Sequence, residues 1–331
     1  MRAPLALVLA ASIGLAACQG DDATPAASSA ATPGSVQENL LTLVGEQGMD
    51  PGQRGRLEHI RGRGLSPRVN VARAGAEPGQ LLRQGSTLRL AVAPGVQVVA
   101  VGERVQRRAD DDISWAGRVR GAEGWVQMVL APEGMTGTVT IGTEAYRIEP
   151  LGNGLHAVSK LDQSKLPPEH PADHPAGSLD APPPPSSISA MQSPASSIGI
   201  AATSTINVLV VYTASAASAS GNISSLIQLA VDETNQSYVN SGIDINMVRV
   251  HTAQVTYNEA NRTFSQHVAS LRGTTDGSMD NVHTLRNTYA ADVVVLVVND
   301  SEACGIASSI GSTATTAFAV AHWSCITGYY S

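Results

Sequence analysis

The sequence is poor in aromatic residues and has no cluster of basic ones. Aromatic side chains make up 4% of the 331 residues, so the cores must be built largely from Val, Ile, Leu and Ala, which is compatible with sheets. The 21 basic residues are outnumbered by 28 acidic ones, for a net charge of −7, and they form no Lys/Arg block. We therefore expect no nucleic acid as a partner.

Several catalytic motifs are also missing. No G-x-G-x-x-G or G-x-x-x-x-G-K-[ST] motif follows the apolar run that ends at Tyr212, so a nucleotide-binding module rests on fold analogy alone. No G-x-S-x-G motif supports a serine hydrolase. Among the eight histidines only His170 and His174 are four residues apart, and the prolines that follow them forbid the helix that such a zinc pair needs. We interpret that stretch as a solvated linker.

The three cysteines have two different predicted roles. An apolar run, too short to span a bilayer, ends in Leu15-Ala16-Ala17-Cys18, which resembles a bacterial lipobox and predicts lipidation of Cys18 after export. An ordinary cleaved signal peptide is the alternative. The protein is then an outer-membrane or cell-surface lipoprotein, or is secreted after processing, and it meets the membrane only through Cys18. Cys304 and Cys325 form an even pair in an oxidising setting, which favours a disulfide over two free thiols.

Composition divides the chain into five segments. They are a signal peptide (1–18), a flexible tether and pro-segment (19–64), a β-rich domain (65–160), a Pro/Ser-rich linker (161–204) and an α/β region (205–331). Short β-type runs between turn signals predict that residues 65–160 form a small antiparallel β domain. In the last region, apolar runs at 206–212, 245–257 and 293–298 alternate with helical stripes, which predicts a βαβαβ unit with a mostly parallel sheet.

The α/β region resembles the metzincin zinc endopeptidases, specifically the reprolysin-like group and most closely the bacterial peptidyl-Asp metallopeptidases. Three segments carry the resemblance in the family's order: Ile206 to Thr213, Ala291 to Ala307, and Ala317 to Ser331. The preceding β domain is similar to the family's prodomain around Tyr146-Arg-Ile-Glu-Pro150. The resemblance implies an inhibitory, fold-assisting prodomain, but without a cysteine latch, because no cysteine remains there after Cys18. His156, Asp162, His170 and Asp173 are open as substitute ligands.

The resemblance also implies zinc as the cofactor and a peptide or protein as the substrate. In such enzymes the segment matching Gly328 to Ser331 leads into H-E-x-x-H-x-x-G-x-x-H, whose histidines bind zinc and whose Glu activates water. That motif is absent from these 331 residues, so no catalytic residue and no metal ligand is assigned. We interpret the sequence as an exported metalloendopeptidase precursor with an incomplete catalytic domain, truncated before the motif and inactive as written. A sheet lacking one covering layer is expected on the same grounds.

By the same resemblance, an edge strand of the sheet pairs with the extended substrate. The residues that correspond to this edge are Gly305, Ile306, Ala307, Ser308 and Ser309, with Ala317 to Ser324 as the neighbouring strand and the Cys304–Cys325 bridge pinning the two together. A plain surface turn is the alternative for the edge segment. For the whole chain the alternative is a non-catalytic surface lipoprotein that binds peptides or inhibits a protease through its β domain.

Overall fold

A computed structural model describes residues 37–172 and 203–328. The expected signal peptide with Cys18, the linker part that contains Asp173 and His174, and the last three residues lie outside the described residues. No helix within the two described ranges is both long and apolar enough to cross a bilayer.

The first domain is a closed nine-stranded barrel. Its order is β1-β2-β9-β8-β7-β6-β5-β4-β3, and the barrel is closed by a parallel pairing of β1 with β3, whereas its other neighbours are antiparallel. The strands are β1 (Gln37–Val44), β2 (Val69–Ala74), β3 (Thr87–Ala93), β4 (Val96–Ala109), β5 (Asp112–Val119), β6 (Gly124–Ala131), β7 (Gly134–Ile141), β8 (Glu144–Gly152) and β9 (Leu155–Lys160).

The antiparallel β domain predicted from the sequence is confirmed, and its local causes are those expected. Buried and less buried side chains alternate along β3, as the period of a strand requires, so Leu88 and Leu90 are fully buried in the barrel core with Trp115. Gly95 joins β3 to β4 with a φ of +78°, a conformation that glycine adopts without steric cost.

Residues 37–64 differ from the flexible tether and pro-segment expected for them. They form β1 of the barrel and helix α1 (Pro51–Gly62), which is followed in the barrel domain by a one-turn helix α2 (Pro78–Leu81). Helix α1 begins with a capping box, in which the Asp50 side chain accepts from the Gln53 backbone and the Gln53 side chain accepts from the Asp50 backbone. Leu57 and Ile60 then lie one turn apart on the buried face. Both signals are local and readable in the sequence.

The second domain is a five-stranded sheet of order β11-β10-β12-β14-β13, in which only β13 is antiparallel. The mostly parallel α/β architecture predicted for this region is confirmed. Its elements are β10 (Ser204–Thr213), α3 (Ala214–Ser220), α4 (Ile223–Asn240), β11 (Ile245–Val255), α5 (Phe264–Arg272), α6 (Asn281–Thr288), β12 (Val293–Val298), β13 (Gly305–Ala307) and β14 (Phe318–His322).

Helices cover both faces of this sheet, which corrects the expectation of a missing layer. On one face Leu209 and Leu296 pack in a cluster with Phe264 of α5. On the other face Val210 packs with Leu226 of α4 and with its neighbours. The sequence pattern predicts the helices, but their division between the two faces follows from the right-handed crossovers and not from periodicity.

Candidate functional site

The candidate site is the open edge of the sheet at β13. In the antiparallel register Gly305 lies opposite Ala321, Ile306 opposite Val320 and Ala307 opposite Ala319. The carbonyl oxygen of Cys304 accepts from the His322 N–H at 2.8 Å, and the Ser308 N–H donates to the Phe318 carbonyl at 2.9 Å.

These bonds fix which backbone groups face outward. In an antiparallel pair, residues that exchange hydrogen bonds with the partner strand alternate with residues that do not. Since Cys304 and Ser308 bond to β14, Gly305 and Ala307 direct their N–H and C=O groups away from it. Ser309 lies beyond the strand in the following turn, where its Oγ is 3.2 Å from the Ser312 Oγ.

A disulfide joins Cys304 to Cys325, with a Cα–Cα separation of 5.4 Å. It links the residue immediately before β13 to the segment that follows β14. The expected pairing is therefore present, and the alternative of two free thiols does not hold. The bridge ties the edge strand covalently to its inner neighbour.

The segment that leaves the barrel runs past the start of this edge. After a short 3₁₀ helix (Gln163–Lys165), the carbonyl oxygen of Pro168 accepts a hydrogen bond from the Cys304 N–H at 2.6 Å. The Gln163 side chain also donates to the Gly328 carbonyl oxygen at 3.2 Å. The first part of the predicted linker therefore contacts the α/β domain.

The barrel holds the segment after β14 from the other side. The buried Arg147 of β8 donates to the carbonyl oxygens of Ser324 and of Thr327, the latter at 2.8 Å. Glu233 of α4 accepts from the Gly328 N–H at 2.9 Å and from the Thr138 hydroxyl. Burial raises the pKa of the Glu233 carboxyl and lowers the pKa of the Arg147 guanidinium.

The histidines of the α/β domain have other partners than a metal. His322 is buried with its Nδ1 2.7 Å from the Ser324 Oγ, and desolvation lowers its pKa to about 4. The fully buried His267 contacts the Tyr257 hydroxyl through Nδ1 and the Asp300 carboxylate through Nε2. Sequence reasoning gave no role to this Tyr257–His267–Asp300 network, whose members are distant along the chain.

Zinc does not fit the side chains that the structure describes. No three His, Cys, Asp or Glu side chains converge within residues 37–172 and 203–328. Of the substitute ligands considered, His156 is buried in the barrel and accepts from the Met135 N–H, while Asp162 accepts from Ser164 at the start of the 3₁₀ helix. His170 is exposed, 3.9 Å from Glu169. Asp173 lies outside the described residues.

Comparison with known proteins gives one consistent family. A model described as metallo-peptidase family M12 matches residues 202–330. A peptidyl-Asp metalloendopeptidase of Stenotrophomonas maltophilia is 39% identical over 258 residues, which are 72% of this chain and 59% of that protein. One from another strain of this species is 37% identical over 308 residues, covering 80% and 70%. One from Xanthomonas campestris pv. campestris is 42% identical over 205 residues, covering 62% and 48%.

These relatives are longer than the matched part. The chain spans between about half and about seven tenths of their length. All three matches extend over more residues than the α/β domain contains, so the similarity includes residues before residue 203.

Proposed function

Because this chain belongs to the reprolysin-like metallopeptidases of family M12, we propose that it is the precursor of an exported zinc metalloendopeptidase. The reaction is hydrolysis of peptide bonds in protein substrates by zinc-activated water. The observation that carries the proposal is the open edge at β13, where the backbone groups of Gly305 and Ala307 point outward and can pair with an extended peptide.

Pairing with β13 explains how a peptide substrate is held without regard to most of its side chains. An extended peptide that adds to a sheet edge gains backbone hydrogen bonds, and alternate side chains then determine specificity. The disulfide at Cys304 keeps the edge from separating from β14, so the pairing groups stay ordered before the substrate arrives.

Zinc chemistry is not supplied by the described residues. In this family a bound zinc would supply the activated water for attack on the peptide carbonyl. The family's His and Glu motif is not among the 331 residues, and no described cluster replaces it. We propose that the contribution of the described residues is to bind and orient the peptide.

The barrel and the segment after it act as an inhibitory prodomain in this proposal. Its support is the hydrogen bond from the Cys304 N–H to the Pro168 carbonyl oxygen, which places this segment next to the first residue of the substrate edge. A peptide that extends along β13 past Gly305 meets this segment. Activation then requires that the segment be removed from the edge.

Export and anchoring are proposed from the sequence alone. The N-terminal apolar run directs export, and Cys18 at its end carries the lipid that anchors the precursor to an outer membrane or a cell surface. Cleavage in the Pro/Ser-rich linker would release a soluble catalytic part. Incorporation of labelled fatty acid that persists in Cys18→Ser would contradict the anchor.

The test is peptide hydrolysis by protein purified from its native source. We expect cleavage of a peptide with Asp at the scissile bond, weaker cleavage of the Asn analogue, loss of activity with a chelator and recovery with zinc. Peptide binding without hydrolysis would favour the alternative, a non-catalytic surface lipoprotein that binds peptides through its β domain. No binding and no hydrolysis would contradict both.

A further inference from the structure

A cavity of about 320 Å³ lies between the barrel and the α/β domain, away from the β13 edge. Helix α1 and strands β7 and β8 form one wall, and helix α4 with the segment after β14 forms the other. Much of the lining is apolar. The apolar residues are Ile60, Ile148, Leu226, Leu229 and Trp323.

Buried polar atoms without a partner gather around this cavity. Ten buried side-chain nitrogen or oxygen atoms of the described residues have no hydrogen-bond partner there, and five of them belong to cavity-lining residues. They are the Nε atoms of Arg63 and Arg147, the Nδ2 of Asn222 and the hydroxyls of Thr136 and Thr327. Three of the five are obligate N–H donors, and the hydroxyls can donate as well. Such groups lose their hydrogen bonds to water on burial and gain nothing in return when they stay unpaired.

The charges around the cavity also favour an anion. Three guanidinium groups line it, those of Arg56, Arg63 and Arg147, against the two carboxylates of Glu133 and Glu149. Glu149 is already paired with Arg63, and Glu133 is exposed at the rim. Arg63 and Arg147 have side chains that are more than nine-tenths buried, so their charge is poorly solvated.

We propose that this cavity binds a small carboxylate with an apolar tail. The carboxylate lies among the donors of Arg63, Arg147 and Asn222, and the tail packs on Leu226, Leu229 and Trp323. A purely apolar molecule would leave the donors unpaired, and an anion without a tail would leave the apolar wall in contact with water. Since both domains line the cavity, the bound molecule stabilises their contact. The proposal does not depend on peptidase activity.

The first experiment is a thermal unfolding series on the full chain with hexanoate, hexanamide and acetate. We expect hexanoate to raise Tm saturably and to bind about tenfold more tightly than hexanamide in titration calorimetry, because only the carboxylate forms charge-assisted bonds. Acetate should bind more weakly than hexanoate. Equal Tm shifts with hexanoate and hexanamide, or no saturable shift with hexanoate, would overturn the proposal and would indicate that the cavity holds only water.

Variants then locate the site. Ile60→Phe fills the cavity from α1 and should abolish the hexanoate shift while leaving the protein folded. Arg63→Gln should weaken hexanoate binding about tenfold, and the matched control Arg118→Gln, at an exposed arginine of the barrel, should not. Thr136→Val removes an unpaired hydroxyl at nearly constant volume, so it tests the site even if Arg63→Gln fails to fold. Unchanged hexanoate binding in both Ile60→Phe and Thr136→Val would overturn the assignment.

Discussion

Arg147 of the barrel donates a hydrogen bond to the carbonyl oxygen of Thr327 at 2.8 Å, although the two residues are 180 positions apart. The same guanidinium donates to the Ser324 carbonyl oxygen. One buried cation therefore pairs with two backbone acceptors of the segment after β14. The contact joins the barrel to the α/β domain just after β14.

Replacing Arg147 should therefore lower the free energy of unfolding by more than the replacement of an exposed arginine does. Arg147→Met leaves two buried carbonyl groups unpaired, which costs about 2–5 kcal/mol of unfolding free energy, measured by urea denaturation. The control Arg118→Met removes an exposed arginine and should change stability by about 0.5 kcal/mol or less. Equal effects of the two variants would contradict the role assigned to Arg147.

The disulfide is predicted to stabilise the edge mainly through the unfolded chain. Cys304 and Cys325 are 21 residues apart, and a loop of that size corresponds to about 3 kcal/mol of lost entropy in the unfolded state. The double variant Cys304→Ser, Cys325→Ser should lose this amount in urea denaturation. Hydrogen exchange should also become faster at Ile306. Unchanged exchange at β13 would mean that the bridge does not hold the edge.

Stability should fall between pH 6.5 and pH 4 because of His156. Burial lowers its pKa from 6.5 to about 4. Between these two pH values the unfolded chain binds a proton at His156 and the folded barrel does not. The loss reaches about 3 kcal/mol as the pH approaches 4. The buried His322, whose pKa is also lowered to about 4, adds a loss in the same pH range. His156→Gln keeps an acceptor for the Met135 N–H and should therefore reduce this dependence without abolishing it, measured as unfolding free energy at pH 7 and pH 4.5. The exposed His170→Gln should leave it unchanged.

Glu233 should act in the opposite direction. Its pKa is raised by burial, so its contribution to stability is complete below pH 4.5 and is lost as the pH rises through the folded-state pKa. Glu233→Gln can still pair with Gly328 and Thr138, and it should reduce the decline of stability toward pH 8. Glu103→Gln, at an exposed salt bridge, provides the control. A decline of equal slope in Glu233→Gln and the parent would contradict the assignment.

Two proline variants separate peptide binding from the integrity of the edge. Ala307→Pro removes an outward N–H and leaves the ladder with β14 intact, because proline is tolerated at sheet edges. It should lower kcat/KM on a peptide up to about tenfold in the native enzyme. Ile306→Pro removes a group that faces β14 and should lower Tm. Full activity of Ala307→Pro would show that substrate does not pair with this strand.

The sequence predicts those features of the structure that local residue patterns determine. The buried strand Val293–Val298 and the alternating strands of the barrel are visible as residue patterns, and so is the family of the α/β domain. The capping box of helix α1 is visible in the sequence, but the Gly and Arg residues around it dilute the apolar face of the helix, so composition predicts a tether instead.

The contacts between domains have no local signal. No sequence pattern around Arg147 predicts that its partners are Ser324 and Thr327. The cavity with its unpaired donors forms only when α1, β8 and α4 pack together. The Pro168–Cys304 hydrogen bond is of the same kind. A proline-rich stretch predicts extended backbone, but which strand edge it lies against depends on the tertiary fold.

The most direct test of the metalloendopeptidase account is the zinc content of protein purified from its native source, measured together with its peptidase activity. The account predicts one zinc per chain and peptide cleavage that a chelator abolishes, although the described residues provide no zinc site by themselves. Native protein without zinc and without peptidase activity would contradict it, and would favour a non-catalytic surface lipoprotein that binds peptides.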